Sequence, residues 1–261
     1  MRIAVCIKHV PDSTAPRRID PATKRLDRSG SGAPNPTDMN ALEEALRIRD
    51  AAGGEVFTVT MGPAEAMESV RKALAMGADR AVLVSDDGAA GSDLLGTTRV
   101  LAAAIGREAE PVDLVLTGQQ AGDSDGAVLW AALAELLQRP VISQVAELTV
   151  EDGSVTGKRQ TELGYEVIRA PLPAVIAVSD AINEPRYPSL KGIMGAKKKP
   201  TDRLSLGDLG VDAGEVGEAG ARTAVTALGE PPSRGDRVMV EDEDGSGAQK
   251  ILDFLIERRL V

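Results

Sequence analysis

Short apolar runs recur along this sequence and alternate with longer stretches in which apolar residues return every three or four positions. The runs are rich in Val, Ile and Leu, as in strands that are buried on both faces of a parallel sheet. The longer stretches predict amphipathic helices. Predicted strands cover residues 2–7, 55–60, 81–84, 112–116 and 173–178, and predicted helices cover residues 39–47, 67–76, 94–105 and 127–137.

The order of these elements indicates the fold class. Strands that alternate with helices of this length are joined by right-handed crossovers and build a doubly wound, mostly parallel α/β sheet. After Pro140 the pattern changes to three short runs at residues 145–150, 154–161 and 166–169. With a turn at 151–154, these runs predict a small antiparallel excursion from the main sheet.

The C-terminal part of the chain has a different character. Residues 183–200 show no periodicity, and residues 201 to about 247 are rich in Gly, Ala, Asp and Glu, which predicts an extended arm. Apolar positions repeat again in 249–260, so a terminal helix is predicted that needs a docking surface on its own domain or on a partner. We therefore expect an α/β nucleotide-binding-type domain over residues 1–200 and an extended arm with a helix over residues 201–261.

Composition and charge narrow the possible functions. The net charge of −10 and the aromatic content of 2% disfavour nucleic-acid binding, which needs a basic face or stacking platforms. Cys6 is the single cysteine and His9 the single histidine, which excludes an intrachain disulfide and a multi-histidine metal site. The sequence opens with a strand-like run and has no apolar stretch of about 18 residues, so we expect no signal peptide, no membrane span and a cytoplasmic location.

A glycine-bearing loop at residues 118–126 follows the strand that ends near Leu116 and precedes a predicted helix. Nucleotides bind at such loops, because backbone N–H groups and the helix N-terminus favour a phosphate. The segments 35–37 (Asn-Pro-Thr) and 61–63 (Met-Gly-Pro) are expected at the same edge of the sheet, where they would border the same ligand. An ordinary strand–loop–helix connection with turns and caps is the other interpretation, and the pattern alone leaves both open.

Motifs that carry catalysis are missing from the sequence. We find no Walker A motif, no GxSxG, no CxxC and no HExxH. Carboxylates are numerous, but none of them form an evident acid–base pair. This pattern favours a binding or carrier protein over an enzyme.

Several segments have an unusual and specific sequence: VCIKHVPD at 5–12, ALAMGADR at 73–80, GQQ at 118–120, and NEPRYPSL at 183–190, which runs on to Ile193-Met194 and to AKKK at 196–199. In composition and in order along essentially the whole chain, these segments resemble the beta subunit of electron transfer flavoproteins. The resemblance implies a fold like that of the adenine nucleotide alpha hydrolases.

The same resemblance implies a function. The chain would be a non-catalytic electron carrier in a heterodimer with an alpha subunit, which holds most of the redox-active FAD and on which the C-terminal arm packs. The carrier would accept electrons from acyl-CoA-type dehydrogenases, as in fatty acid beta-oxidation, and pass them through a quinone oxidoreductase towards the respiratory chain. It would bind no nucleic acid and would not insert into a membrane.

A nucleotide pocket in the beta chain is a further implication of the resemblance. It holds AMP in most relatives and a second FAD in electron-bifurcating ones. No catalytic residue and no metal ligand is implied. Carried over by position, the cofactor-binding residues are Cys6, Asn35, Pro36, Thr37, Asp38, Met61, Gly118, Gln119, Gln120, Ala121, Gly122, Asp123, Ser124, Asp125, Gly126, Ala127, Val128 and Leu129.

Residues 186–195, which we call the docking segment, are similar to the family's recognition loop for acyl-CoA dehydrogenases. Leu190 stands at the position of the anchoring apolar residue, and one apolar anchor suits a weak, fast interface. Lys197, Lys198 and Lys199 would form a basic patch beside the segment or its solvated stem. The docking residues are Arg186, Tyr187, Pro188, Ser189, Leu190, Lys191, Gly192, Ile193, Met194 and Gly195.

Two alternatives stay open at this point. One is an electron-bifurcating beta subunit that binds its own FAD, and the identity of the bound nucleotide would separate it from an AMP-binding carrier. The other is an adenine-nucleotide hydrolase or ligase on the same type of sheet. That enzyme would need a lysine or metal-binding carboxylates around the 118–126 loop, and no lysine stands near this loop in the sequence.

Overall fold

The computed structural model describes residues 1–12, 14–229, 239, 241, 242 and 244–261. The elements numbered here belong to these described residues. Their strands are β1 Arg2–Cys6, β2 His9–Pro11, β3 Ile19–Asp20, β4 Arg25–Leu26, β5 Gly32–Pro34, β6 Glu55–Met61, β7 Arg80–Val84, β8 Leu114–Gly118, β9 Val141–Glu151, β10 Ser154–Thr161, β11 Gly164–Pro171, β12 Ala174–Val178 and β13 Thr201–Leu204. Their α-helices are α1 Pro36–Ala52, α2 Met67–Met76, α3 Leu94–Gly106, α4 Leu129–Leu137, α5 Leu190–Ala196, α6 Gly217–Gly220 and α7 Gly247–Glu257.

A nine-stranded sheet in the order β11-β10-β9-β12-β8-β1-β6-β7-β13 is the centre of the fold. Seven neighbouring strands of this sheet pair in parallel, namely β9, β12, β8, β1, β6, β7 and β13. Beyond β9, the strands β10 and β11 continue the sheet in antiparallel pairing. The predicted doubly wound α/β class with a small antiparallel excursion is therefore confirmed. Two small two-stranded sheets, β2-β5 and β3-β4, lie outside it.

Two apolar layers enclose the sheet, because successive side chains of a strand point to opposite faces. Ile3 and Val5 of β1 pack with α1 and α2 in one buried cluster. Ala4 and Cys6 of the same strand pack with α3 and α4 in the other. Helices on both faces explain why the central strands read as continuous apolar runs rather than as alternating ones.

The sequence placed the start of the arm too early. Residues 201–204 form β13, which pairs with β7 at the edge of the sheet. The first compact unit extends to Val225, and the second comprises Thr226–Val261. Thr201–Leu204 (TDRL) is an edge strand with exposed polar residues, so it lacks the apolar run that marks a buried strand.

Two predictions about the C-terminal part have different outcomes. Residues 183–200, predicted as irregular, contain the short helix α5, which Ser189 caps by accepting a hydrogen bond from the Gly192 amide. The predicted terminal helix is present as α7, at Gly247–Glu257. Residues 230–238, 240 and 243 of the predicted arm lie outside the described residues.

Candidate functional site

A cavity of about 700 Å³ opens at the carboxyl ends of the central strands. This edge of a parallel sheet is where ligands bind in open α/β folds, and the volume is typical of a small-molecule site. Among the residues predicted for a cofactor, those that line the cavity are Cys6, Asn35, Asp38, Met61, Gly118, Gln119, Gln120, Ala121, Ala127 and Leu129.

The other predicted residues are not part of the cavity wall. Two of them come directly after Asn35 in the first turn of α1, and the others lie in the loop that precedes α4. They are Pro36, Thr37, Gly122, Asp123, Ser124, Asp125, Gly126 and Val128.

Asn35 fastens the 118–126 loop to the start of α1. Its side-chain amide donates to the Gln120 carbonyl at 2.9 Å, and its amide oxygen accepts from the Gly122 N–H at 2.9 Å. The Thr37 hydroxyl donates to the same Gln120 carbonyl at 2.9 Å. Asn35 is buried. Asn35, which precedes α1, and Thr37 in its first turn therefore fix the backbone of the loop beside the cavity.

Asp38 joins the ends of two strands through a buried carboxylate. It accepts a hydrogen bond from the Lys8 amide at 2.8 Å and another from the Gly118 amide at 3.2 Å. Burial raises the pKa of this carboxyl to about 6, although both hydrogen bonds favour its ionised form. Gly118 has no space for a side chain, because a Cβ there would lie 2.5 Å from Asp38 Oδ1.

Two cationic residues, Lys8 and Arg28, line the cavity. Sequence reasoning did not connect either of them with the 118–126 loop. Lys8 Nζ donates to Asp123 Oδ1 at 2.6 Å, and Arg28 Nη2 donates to Asp123 Oδ2 at 2.7 Å. The Asp123 side chain is only 2% exposed, and burial is outweighed by its two cationic partners, which hold the pKa of its carboxyl below the usual value. No lysine is near the loop in the sequence, but the fold brings Lys8 to the loop from a position 115 residues before Asp123, so a lysine does stand beside it in space.

The opposite wall of the cavity was largely missed. Sequence reasoning singled out only Met61 and the Gly62-Pro63 turn there. The wall also includes the two residues that follow Pro63, residues after β7 and residues on the β3-β4 hairpin. For the residues after β7, a glycine- and aspartate-rich turn after a strand was the available signal. These residues are Arg25, Leu26, Ala64, Glu65, Ser85, Asp86, Asp87, Ala89, Ala90 and Gly91.

Two residues at the wall have buried side-chain groups. The Thr117 hydroxyl oxygen has no exposed surface and no hydrogen-bond partner among the described residues, so it is a buried unsatisfied group beside the cavity. Burial and the neighbouring Asp38 carboxylate raise the pKa of the Cys6 thiol to about 12. Cys6 is thus a neutral wall residue and not a reactive thiolate.

His9 does not form a hydrolytic centre. Its Nδ1 lies 2.8 Å from the Ser69 hydroxyl oxygen, which resembles the nucleophile–base pair of a hydrolase. Ser69 is fully buried, however, and burial also lowers the pKa of His9. Since a substrate does not reach a fully buried hydroxyl, the pair is a satisfied hydrogen bond of the core.

The docking segment presents several apolar side chains to solvent. Tyr187 is 92% exposed and Leu190 is 76% exposed, and Ile193 and Met194 are exposed beside them. Its first residue, Arg186, is bound to α1 through Glu43 and Asp50. Of the remaining residues, Ser189 and Lys191 also lie at the surface, whereas Pro188, Gly192 and Gly195 are half-buried.

Of the three lysines predicted to form a basic patch, only two are exposed at the surface. Lys197 and Lys198 are exposed. The Lys199 ammonium instead donates to the backbone carbonyls of Leu74 and Ala78 at the end of α2. Burial lowers the pKa of Lys199. It is therefore a structural cap for the carbonyls of that helix.

No group of three or more His, Cys, Asp or Glu side chains suited to a metal ion is found in the described ranges. Across this same part of the chain, no helix is long and apolar enough to cross a membrane.

Comparison with known proteins gives a consistent picture. The sequence profile of the electron transfer flavoprotein domain matches residues 23–209. The chain is 40% identical over 265 residues to the electron transfer flavoprotein subunit beta of Mycobacterium bovis, with 99% of each chain covered. It is 40% identical over 263 residues to the protein of that name from Thermoanaerobacterium thermosaccharolyticum, with 100% of each covered. It is also 42% identical over 242 residues to subunit CarD of the caffeyl-CoA reductase-Etf complex of Acetobacterium woodii, with 92% of each covered.

Proposed function

The chain belongs to the family of electron transfer flavoprotein beta subunits, and on this premise we propose that it is the nucleotide-binding half of a heterodimeric electron carrier. Its partner would be an alpha subunit that holds most of the redox-active FAD. Bound FAD supplies the electron-transfer chemistry. The beta chain would bind and position the alpha subunit, hold a nucleotide and dock the electron donor.

The cavity beside the 118–126 loop is the observation that carries the nucleotide part of this proposal. Leu129, the first residue of α4, lines it, and the first N–H groups of a helix have no acceptor within the helix. A phosphate at this end would meet those amides and the two cations Lys8 and Arg28, which also line the cavity. Asp86 and Asp87, farther along the wall, would accept hydrogen bonds from ribose hydroxyls.

Two nucleotides are compatible with this site. AMP would use the phosphate end and the apolar wall around Cys6 and Met61. A second FAD would extend towards the β3-β4 hairpin, where Arg25 and Leu26 continue the lining. The second candidate function, an electron-bifurcating beta subunit, is favoured by this additional space and by the similarity to a subunit of a reductase complex.

Donor docking is the other part of the proposal. The exposed apolar side chains of the docking segment, with Leu190 as the anchor, would fit into a pocket of an acyl-CoA-type dehydrogenase. A small contact with one apolar anchor releases quickly, as a diffusing carrier requires. The carrier would then pass its electrons towards a quinone oxidoreductase.

Identification of the bound nucleotide tests the proposal most directly. The chain is co-expressed with its alpha subunit, the purified heterodimer is denatured, and the released nucleotides are identified by mass spectrometry. One FAD and one AMP per heterodimer are expected. Two FAD would establish the bifurcating alternative, whereas a heterodimer without any second nucleotide would contradict the nucleotide site.

A pair of substitutions connects the nucleotide with this cavity. The double variant Lys8→Gln/Arg28→Gln removes the two cations of the phosphate end and should reduce the second nucleotide to less than about a tenth of its wild-type occupancy. Arg71→Gln, an exposed substitution on α2 away from the cavity, is the matched control and should keep full occupancy. ATP turnover by the wild-type heterodimer would instead support the hydrolase alternative.

A further inference from the structure

The docking segment is connected to the core by polar contacts that no sequence motif indicates. It lies at the surface between Asn183 and Lys199, and both of these residues are bound to helices of the main unit. At the N-terminal end of the segment, Asn183 and Arg186 are hydrogen-bonded to α1, which lies about 140 residues earlier in the chain. This arrangement raises the question of which side chains give the segment its position.

Glu43 of α1 is the centre of these contacts. Its carboxylate accepts from Arg186 Nε at 2.8 Å and from Arg186 Nη2 at 3.2 Å, which is a two-pronged ion pair. The same carboxylate accepts from the Arg186 backbone amide at 3.1 Å. A single side chain therefore fixes both the backbone and the guanidinium of the first docking residue.

Glu43 is unusual for a glutamate on a helix because its side chain is only 5% exposed. Burial by itself disfavours a charged carboxylate, but the bonds from Arg186 and Arg47 keep the pKa of Glu43 below its usual value. Glu43 is thus ionised and paired at neutral pH, and the loss of its charge would leave Arg186 with only the half-exposed Asp50.

A second set of bonds supports the first. Asn40 donates to the Asn183 carbonyl at 2.7 Å, and Asn183 donates back to the Asn40 carbonyl at 3.1 Å. Asn183 also donates to Glu44 at 3.0 Å. These reciprocal contacts join one turn of α1 to the backbone just before the docking segment. They therefore fix the position and direction of the chain where the segment begins.

The far end of the segment is held by different contacts. Ala196, the last residue of α5, is buried, and the Lys199 ammonium caps the carbonyl end of α2. Gly192 lies so close to α2 that a Cβ there would be 2.3 Å from the Ala75 carbonyl oxygen. The exposed apolar side chains between the two ends are therefore presented on a segment that is fixed at both ends.

From these contacts we infer that Glu43 is a positioning residue for electron transfer, which acts through Arg186 to hold the docking segment in the shape that its partner binds. This inference rests on the proposed docking function. Its physical basis is that a segment ordered before binding loses less conformational entropy when the complex forms. Glu43 itself lies under the segment and does not touch the donor.

The variant Glu43→Gln tests this inference because it removes one charge and keeps the size of the side chain. In the FAD-loaded heterodimer, hydrogen exchange of the amides at 186–196 should become about tenfold faster. With an acyl-CoA dehydrogenase reduced by its acyl-CoA substrate as the donor, KM for the donor should rise about tenfold. The flavin content and kcat should stay at their wild-type values.

A control variant separates positioning from a general loss of stability. Glu108, which follows α3, also pairs with two arginines, Arg2 at the start of β1 and Arg80 at the start of β7. Glu108→Gln should leave both the exchange at 186–196 and the donor KM unchanged. The double variant Glu43→Gln/Arg186→Gln should be no worse than Arg186→Gln alone, because both changes break the same contact.

Leu190→Ala distinguishes failure of this inference from failure of the proposed function. If Leu190→Ala raises KM but Glu43→Gln changes neither exchange nor KM, the positioning role is wrong and docking stands. The positioning role is equally wrong if Glu108→Gln has the same effects as Glu43→Gln. If Glu43→Gln accelerates exchange while neither it nor Leu190→Ala changes KM, Glu43 does hold the segment and the docking function is wrong.

Discussion

Single side chains at the cavity show how much of this site depends on contacts between distant parts of the chain. Asp38 illustrates this at the residue scale, because its carboxylate accepts from the amides of Lys8 and Gly118, 30 and 80 residues away. Asp38→Asn replaces one accepting oxygen with an NH₂ group, so one of the two amides loses its partner. We expect a loss of about 1–3 kcal/mol in the free energy of unfolding, measured with urea at neutral pH.

The pH dependence of this effect provides an independent test. The pKa of Asp38 is raised from 3.8 to about 6 in the folded protein, chiefly by burial. Between these values the folded protein binds a proton that the unfolded chain does not, so the contribution of this carboxyl to stability falls as the pH rises. Relative to Asp38→Asn, the wild type should therefore lose about 1 kcal/mol between about pH 5.5 and about pH 7.5. A constant difference across this range would show that the carboxyl is already ionised at the lower pH.

Sequence reasoning found part of this site at the residue level. The glycine-bearing loop and the Asn35–Asp38 segment were identified because turns, caps and strand ends have local signals. Lys8 and Arg28 were missed, since neither has a local pattern and their common partner is Asp123, at least 95 residues away. A contact of this kind is created by the sheet topology and by no spacing in the sequence.

At the scale of whole elements, local patterns identified the buried strands and the three strands of the antiparallel excursion, but missed several short and edge elements. The strands β1, β6, β7, β8 and β12 are continuous apolar runs, and each was predicted to within a few residues. The edge strand β13 and the short helix α5 were missed. The polar residues of β13, the two glycines of α5 and Pro188 just before that helix leave no recognisable periodicity, and tertiary contacts decide the structure there.

The carbonyl end of α2 illustrates such a tertiary contact and leads to a prediction about Lys199. The Lys199 ammonium donates to the carbonyls of Leu74 and Ala78. The partial negative charge at the C-terminus of a helix also attracts a cation. Lys199→Met keeps the aliphatic stem and should lower the free energy of unfolding by about 1–2 kcal/mol. The neighbour Lys197 is exposed, so Lys197→Met should change stability by less than about 0.5 kcal/mol. Equal losses in urea unfolding of the two variants would contradict the cap.

The whole molecule comprises two compact units, which end and begin at Val225 and Thr226. Both buried apolar clusters draw their residues from the first unit, and among the described residues none of their buried members lies beyond Val216. In the second unit, α7 exposes Ile251, Leu252 and Ile256 to solvent. We therefore attribute the stability of the fold to the first unit and expect the apolar residues of α7 to serve the contact with the alpha subunit.

Truncation after Val225 tests this division. Because both apolar clusters remain intact, the truncated chain should unfold cooperatively, with a Tm within about 2 °C of the full chain. Its complex with the alpha subunit should be weakened at least tenfold, because exposed apolar surface of α7 is the surface that a partner would bury. Calorimetry measures the first effect and size-exclusion chromatography of the mixed subunits the second. The variant Ile251→Ser/Ile256→Ser of the full chain should weaken the complex in the same direction without changing Tm, and full binding by both altered chains would assign the partner contact to the first unit.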